Sequence, residues 1–421
     1  MISATSGSQW KRVPLGSIAK FRNGINYSKS NFGTGIKVIN VKDFQDRTII
    51  PVEDLDEINP VGVVSKESFL QNGDIIFVRS NGNRQLIGRS LFVNGVQEKI
   101  THSAFTIRVR FTSGLAIPRF YSYLFRSPFM RQILSSQGSG TNINNLNQRI
   151  LEDLQVPLPP LFTQRKIAAI LSAYDDLIEN NTRRIKILEE MAQALYREWF
   201  VRFRFPGHEN VRMVDSPLGR MPEGWEVKRL GDIAQEVRRI VKPDQIDPET
   251  PYFGLEHLPR KSIALSEWDM AKNVLSTKLI FKRGEILFGK IRPYFHKVGV
   301  APVDGICSSD TIIIAPKSPE CFSIILSCVS SEDFVKHATQ TSKGTKMPRA
   351  DWDVLANYRI AVPKSNILTI FNNFIIDIVL QIRNIIFQNR NLRVTRDLLL
   401  FELFSKDGEV GVLLGEDYLY E

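Results

Sequence analysis

Trp10-Lys-Arg-Val-Pro-Leu15-Gly16-Ser-Ile18-Ala19 returns as Trp225-Glu-Val-Lys-Arg-Leu230-Gly231-Asp-Ile233-Ala234, with five identities at one offset of 215. Further segments recur in the same order. Gly73-Asp74-Ile75-Ile76-Phe77 matches Gly284-Glu285-Ile286-Leu287-Phe288, and Thr106-Ile107 matches Thr311-Ile312. Gly140-Thr141 matches Gly344-Thr345, Val156-Pro157-Leu158-Pro159 matches Ile360-Ala361-Val362-Pro363, and Glu198 with Phe200 matches Glu402 with Phe404. The offset falls from 215 to 204 and then holds, so the second copy is about eleven residues shorter in its middle. Ordered self-similarity of this kind is the mark of a tandem duplication.

Each copy follows one plan. A region of short apolar runs and turn residues comes first. Gly73–Val78, Phe105–Val109, Glu285–Phe288 and Thr311–Ala315 have strand length and composition, and helical patches such as Ile117–Leu134 lie between them. That mixture predicts an α+β domain. Prolines then mark a boundary, at Pro157, Pro159 and Pro160 in one copy and Pro363 in the other, before a long helix. The expected partition is a first domain over 1–160, a helix over 161–205, a second domain over 206–363, a helix over 364–405 and an acidic tail over 406–421. The stretch 206–223, rich in Pro and Gly, reads as an exposed linker at the start of the second domain.

The long helices carry a heptad pattern. Ile167, Tyr174, Asn181, Leu188 and Leu195 form one row, flanked by Ile170, Leu171, Leu177, Ile178, Ile185 and Met191. The second copy places Phe371, Ile378, Ile385, Leu392 and Leu399 at the corresponding positions. Five heptads without proline or glycine argue for a coiled coil. About 40 residues per helix make a rod of roughly 60 Å. Asn181 is either a buried polar residue that fixes register or a residue at the rim of the seam. Pairing the helices antiparallel would put one α+β domain at each end of the rod, with pseudo-two-fold symmetry inside one chain.

The 421 residues carry 55 Lys and Arg against 45 Asp and Glu, a net charge of +10. The surplus is uneven: +8 in residues 1–160, +2 in each helix, +2 in residues 206–363 and −4 in the tail. No apolar run is expected to reach the roughly 18 residues a membrane span needs, and the N-terminal segment, Met1 to Lys11, lacks the apolar centre of a signal peptide. The three cysteines, Cys307, Cys321 and Cys328, are too few and oddly numbered for a disulfide framework and suit a reducing cytoplasm.

Enzyme signatures are missing from the sequence. Gly284-Glu-Ile-Leu-Phe-Gly289-Lys290 approaches a P-loop, but Ile291 follows where a hydroxyl is needed for Mg²⁺. No Asn/Asp-Pro-Pro-aromatic motif for base methylation is present, because Leu158 precedes Pro159-Pro160. The five histidines and three cysteines lack metal-site spacing. Asp244, Glu285 and Lys290 are a loose nuclease-like set that specifies nothing on its own.

Polar loops stand at matching places in both copies. Copy one offers Arg79, Asn81, Asn83 and Arg84 after a strand, then Thr141, Asn142 and Asn144 before the helix. Copy two offers Lys290, Arg292 and Tyr294, then Lys343, Thr345, Lys346 and Arg349. Each residue taken singly is explained as a polar turn. As two loops per domain they suit contacts to phosphates and base edges of double-stranded DNA.

With these pieces assembled, the chain resembles the specificity (S) subunit of type I restriction–modification systems over about residues 10–405. The resemblance is carried by the Trp-x4-Leu-Gly-x-Ile starts at Trp10 and Trp225 and by the Gly-Asp/Glu-Ile-Ile/Leu-Phe strands. It is also carried by Pro157-Leu-Pro-Pro-Leu161 with Gln164-Arg165-Lys166-Ile167, leading to Leu195-Tyr-Arg-Glu-Trp199-Phe200. It implies two target-recognition domains that each read half of a split, non-palindromic site. It implies a spacer on which two modification (M) subunits dock and restriction (R) subunits assemble. S-adenosylmethionine, ATP and Mg²⁺ would then belong to the partner subunits, this chain being non-catalytic and cytoplasmic with no cofactor of its own. The second copy departs from the pattern, with Leu368-Thr369-Ile370 opposite Gln164-Arg165-Lys166. The other readings are a self-contained nuclease or methyltransferase, and a coiled-coil scaffold with no DNA role. DNA contact by the isolated chain is expected to be weak, with M subunits supplying much of the phosphate clamp.

Overall fold

In each copy the first recurring segment is pinned to the last by a short antiparallel ladder. Arg12–Pro14 pairs with Gln155–Pro157, and Glu226–Arg229 pairs with Arg359–Val362. The Leu-Gly-x-Ile that follows enters the core, Leu15 and Leu230 being fully buried and Ile18 and Ile233 nearly so. Full burial of one such leucine contributes on the order of 2 kcal/mol. The leucine N–H groups donate to Leu154 O at 2.9 Å and to Tyr358 O at 2.8 Å, the same bond in both copies. Glycine follows because the backbone opposite is close: a Cβ on Gly231 would lie 3.0 Å from the Ala356 Cβ and 3.2 Å from its carbonyl oxygen. The structure, a computed structural model, describes residues 10–44, 47–81, 83, 86–136 and 146–405.

The fold is α+β and divides into two compact units, residues 1–176 with 393–421, and residues 177–392. Each unit thus holds one α+β domain, the first turns of the long helix that follows it, and the last turns of the other copy's helix. The helices begin where the prolines marked them, at Leu161–Tyr196 and Ser365–Ser405. The first ends in a π-type turn, Arg197–Val201.

In the first unit a four-stranded antiparallel sheet runs Ala19–Asn23, Thr106–Phe111, Ile75–Val78, Ser90–Phe92. A three-stranded sheet runs Asp56–Ile58, Phe32–Ile39, Ile100–His102, with the last pair parallel. Pro118–Leu124 and Pro128–Ser136 pack apolar faces on the first sheet, forming a core that includes Phe77, Phe120, Tyr121 and Leu134. The sequence periods explain these elements: Ile75–Val78 is buried on both faces and reads as a continuous apolar run. Gln164 anchors the helix start, accepting from Ile117 N at 2.8 Å and donating to Leu115 O at 2.9 Å and Pro159 O at 2.8 Å. Further along, Asp175 accepts from Tyr123 Oη and from Arg396 Nη1, both at 2.8 Å. Burial pushes the Asp175 carboxyl upward, but Arg126 and Arg396 outweigh it and hold it below the usual carboxylate range. The end of the second long helix packs here through Leu400, Leu403 and Phe404.

The second unit repeats the plan. Its four-stranded sheet runs Ala234–Glu236, Thr311–Pro316, Ile286–Gly289, Val298–Val300. A five-stranded sheet runs Arg239–Val241, Lys278–Phe281, Gly305–Cys307, Pro251–Phe253, Asp269–Met270. The stretch expected to be a plain linker instead contains a hairpin, Met213–Ser216 with Gly219–Pro222, in which Met221 is buried. Leu368, at the position of Gln164, is buried in the core, so apolar packing replaces the glutamine's hydrogen bonds. Cys307, Cys321 and Cys328 are free and buried, and burial pushes the Cys307 and Cys328 thiols up to about 12.

Within the second unit the two helix segments run antiparallel, with Asn181 opposite Asn389 and Phe200 against Phe371. Asn181 is buried and donates from Nδ2 to Asn389 Oδ1 at 2.9 Å, so it sits in the seam and not at its rim. Ile185, Phe371, Ile378 and Ile385 share the core of this unit, while Leu188, Leu195 and Leu392 are half-buried. Within the first unit Ile167 is fully buried and Tyr174 and Leu399 are half-buried. Two flanking residues read as seam are not: Leu177 and Met191 are more than half exposed. The expectation about apolar length also needs correction. Ser365–Phe404 is long and apolar enough, by length and composition, to cross a membrane. Its apolar residues have a local use, however: Phe371, Ile375, Ile378, Ile382, Ile385 and Ile386 are buried in the core of their unit.

Candidate nucleic-acid interface

The strand Ile75–Val78 delivers its chain to Arg79 at the edge of the sheet. Arg79 N donates to Phe105 O at 2.8 Å, and Leu146 N donates to Arg79 O at 2.9 Å. The second bond brings the end of the Gly-rich segment against the loop that follows the strand. In the second copy Ile286–Gly289 delivers Lys290, whose N–H donates to Asp310 O at 2.9 Å and whose carbonyl accepts from Ala350 N at 2.8 Å. The same two backbone bonds recur in each domain, and in the second they set the loop after Lys290 beside the loop that ends at Ala350.

In copy one Arg79 is half-buried and its Nη1 reaches Ala104 O at 3.5 Å. Asn81 Oδ1 accepts from Asn83 N at 2.8 Å, closing an Asx turn that leaves the Asn83 side chain exposed. Arg84, Thr141, Asn142 and Asn144 lie outside the described residues. The sequence reading missed Phe105, a 61 % exposed aromatic whose carbonyl holds Arg79. Its counterpart is Asp310, and the exchange of an apolar for an acidic residue just before a recurring Thr-Ile strand was the available signal.

In copy two all seven expected residues come together. Lys343 and Arg349 exchange backbone bonds of 3.1 and 2.9 Å, closing a hairpin that exposes Lys343, Thr345, Lys346 and Arg349. Arg349 lies 3.6 Å from Asp310 and Lys343 lies 3.8 Å from Asp351, both loose exposed ion pairs. Lys290 Nζ donates to Ser309 O at 3.0 Å. Arg292 N donates to Pro348 O at 2.7 Å, tying the two loops together again. Tyr294 is half exposed and stands edge-on to Phe295 at 4.8 Å. The loosely nuclease-like set is differently employed: Glu285 is held by Arg239 at 2.7 Å, not presented with Lys290. Among the described residues no group of His, Cys, Asp and Glu could hold a metal ion.

In the second domain the arrangement is two adjoining loops rich in guanidinium and ammonium groups, and the backbone bonds that frame them recur in the first. Comparison with known proteins agrees with it. Residues 7–190 match the family described as type I restriction modification DNA specificity domain. The chain is 27% identical over 301 residues to the type I restriction enzyme MjaIX specificity subunit of Methanocaldococcus jannaschii, covering 68% of each chain. It is 23% identical over 351 residues to the EcoKI specificity subunit of Escherichia coli K12, covering 78% of this chain and 71% of that one. The fold matches the crystal structure of a type I restriction–modification S subunit from M. genitalium with a TM-score of 0.57, at 13% identity, over 96% of this chain and 98% of that one. The chain thus carries a type I restriction modification DNA specificity domain over residues 7–190 and is similar over most of its length to type I specificity subunits.

Proposed function

We propose that each α+β domain reads one half of a bipartite DNA site through its paired loops. The observation that carries this reading is the repeated bond pair, Leu146 to Arg79 and Ala350 to Lys290. It gives both domains one frame while the loop side chains differ, which suits two unlike half-sites and hence a non-palindromic target. The long helices act as the spacer that sets the gap and as the docking ground for two M subunits, with R subunits joining the assembly. Methyl transfer from S-adenosylmethionine and ATP- and Mg²⁺-dependent cleavage reside on those partners, and this chain is a non-catalytic reader working in the cytoplasm. The loose surface ion pairs around Lys343 and Arg349 leave charge for phosphates, but the modest surplus of the second domain favours a clamp shared with the M subunits.

The test uses spacer length. Seven residues inserted after Leu188 and seven after Leu392 keep the heptad row in both helices. They lengthen paired helices by about 10 Å, close to 3 base pairs of duplex. Methylome sequencing of the host is expected to show both half-sites unchanged and the gap longer by about that amount. An unchanged gap refutes the spacer role, and an absence of any two-part methylation dependent on this chain refutes the reading as a whole.

A further inference from the structure

Four non-glycine residues among those described have a left-handed backbone, and three of them surround one ring in the second domain. Arg292 (φ 50°), His296 (φ 53°) and Lys261 (φ 56°) enclose Phe295 along the chain and across it. Lys261 N donates to His296 O at 2.8 Å, which draws the segment carrying Arg260 onto the segment carrying Phe295. The first long helix fixes that segment from behind, where Glu189 accepts from Ser262 Oγ at 2.7 Å and Ile263 N at 2.8 Å. Such a left-handed non-glycine residue is strained and persists only where its surroundings over-determine it.

The side chains so placed are two guanidinium groups. Arg260 lies 4.1 Å from the Phe295 ring centroid and Arg292 lies 6.0 Å from it. Arg260 is exposed. Arg292 is half-buried, and its Nε is a buried donor without an acceptor. A desolvated, unpaired donor is costly, and a guanidinium offers only donors, in a rigid fork. A partner that engaged the whole fork would present two acceptors in a plane. The site also stands beside Lys290 and Arg349, whose charges select an anionic polymer.

We propose that Arg292 reads a guanine edge in the second half-site and that Arg260, stacked on Phe295, grips the flanking phosphate. This rests on the DNA-reading proposal and adds which base chemistry the second domain selects. Arg292, held by a fixed backbone, suits the paired O6 and N7 acceptors of guanine in the major groove. Arg260, which is exposed and was not apparent from the sequence, suits a phosphate.

The experiment is methylome sequencing and DNA titration with the complete complex of this chain and its M subunits. Arg292→Lys keeps the charge and loses the fork. It is expected to relax one guanine of the second half-site by roughly 10- to 100-fold while the first half-site stays strict. Arg260→Ala is expected to preserve both half-sites, weaken binding, and lower the log–log salt slope by about 1. The first half-site serves as the internal control for folding. An unchanged methylome in Arg292→Lys, loss of both half-sites together, or an unchanged salt slope in Arg260→Ala each overturns the proposal. If the wild-type complex shows no two-part methylation, the DNA-reading proposal fails instead.

Discussion

Replacing Asn389 by leucine tests whether the seam of the long helices is held by a polar pair. Asn181 and Asn389 are 8 and 3 % exposed, and one hydrogen bond of 2.9 Å joins their amides. Asn389→Leu strips Asn181 Nδ2 of its acceptor in a dry seam, at a cost of about 1–3 kcal/mol. The new leucine returns part of this through apolar burial, so a net loss of about 1–2 kcal/mol is expected. Asn181→Leu mirrors it, leaving Asn389 Oδ1 without its donor. With both changed, no polar group is stranded, and the seam continues the packing of Ile185 and Ile385 beside it. The double variant should therefore be close to wild type or more stable, with a coupling of about 2–4 kcal/mol between the sites. The assay is a double-mutant cycle by urea unfolding, followed by helix circular dichroism and by Trp199 fluorescence, which reports the aromatic cluster with Phe371. Two neutral single variants, or strictly additive effects, would show that the pair contributes nothing. If the pair also fixes register, the double variant should retain its stability, and on the proposed spacer role its complex with M subunits should methylate at more than one gap length.

Three further outcomes follow from individual contacts. His102 is buried, and burial, with Arg108, Arg22 and Arg110 nearby, pushes its imidazole down to about 3. The folded state keeps it neutral while the unfolded chain takes up a proton below about 6.5, so its contribution is complete above that pH and is lost on acidification; at pH 5 the loss is about 2 kcal/mol. His102→Cys, which installs the residue found at Cys307 in the other copy, should flatten the fall in stability between pH 6.5 and 5, and an unaltered pH profile would contradict this. Gln164→Ala strands Ile117 N, Leu115 O and Pro159 O, and should cost about 2–3 kcal/mol in thermal unfolding, whereas an effect below about 0.5 kcal/mol would mean that water replaces the amide. Phe105→Asp copies the acidic residue of the second domain onto the first, and should weaken DNA binding by the complex by roughly tenfold or more, with Phe105→Ala intermediate; equal affinities would remove Phe105 from the interface.

The duplication was legible because its anchors carry structural duties that only certain residues meet. Leu15 and Leu230 fill the core, and a Cβ on Gly231 would crowd Ala356. The helix starts were legible from prolines, and the seam from heptads. Three things were not. Heptad spacing does not distinguish the seam from its shoulder, so Leu177 and Met191 looked buried and are exposed. The partner of Asn181 is Asn389, which lies between Ile385 and Leu392, off the heptad row of its own helix, and is chosen by the antiparallel register. Arg260 reaches Phe295 through the bond from Lys261 to His296, a contact between residues 35 apart that no local pattern announces.

The bonds that recur at Arg79 and Lys290 run from backbone to backbone, and this has a consequence for how freely these positions can vary. Neither Leu146 N to Arg79 O nor Ala350 N to Lys290 O involves a side chain. The frame therefore places no demand on what Arg79 or Lys290 carries beyond Cα. The residue that supplies the adjoining carbonyl can be Phe105 in one copy and Asp310 in the other without moving the loop. Where side chains do bear the structure, as at Gln164, a change of residue requires a change of mechanism, and Leu368 meets that need by burial. The loops are thus the places where sequence can vary at little structural cost, and the anchors are where it cannot. A duplicated chain built this way can keep two congruent frames while their loop sequences diverge.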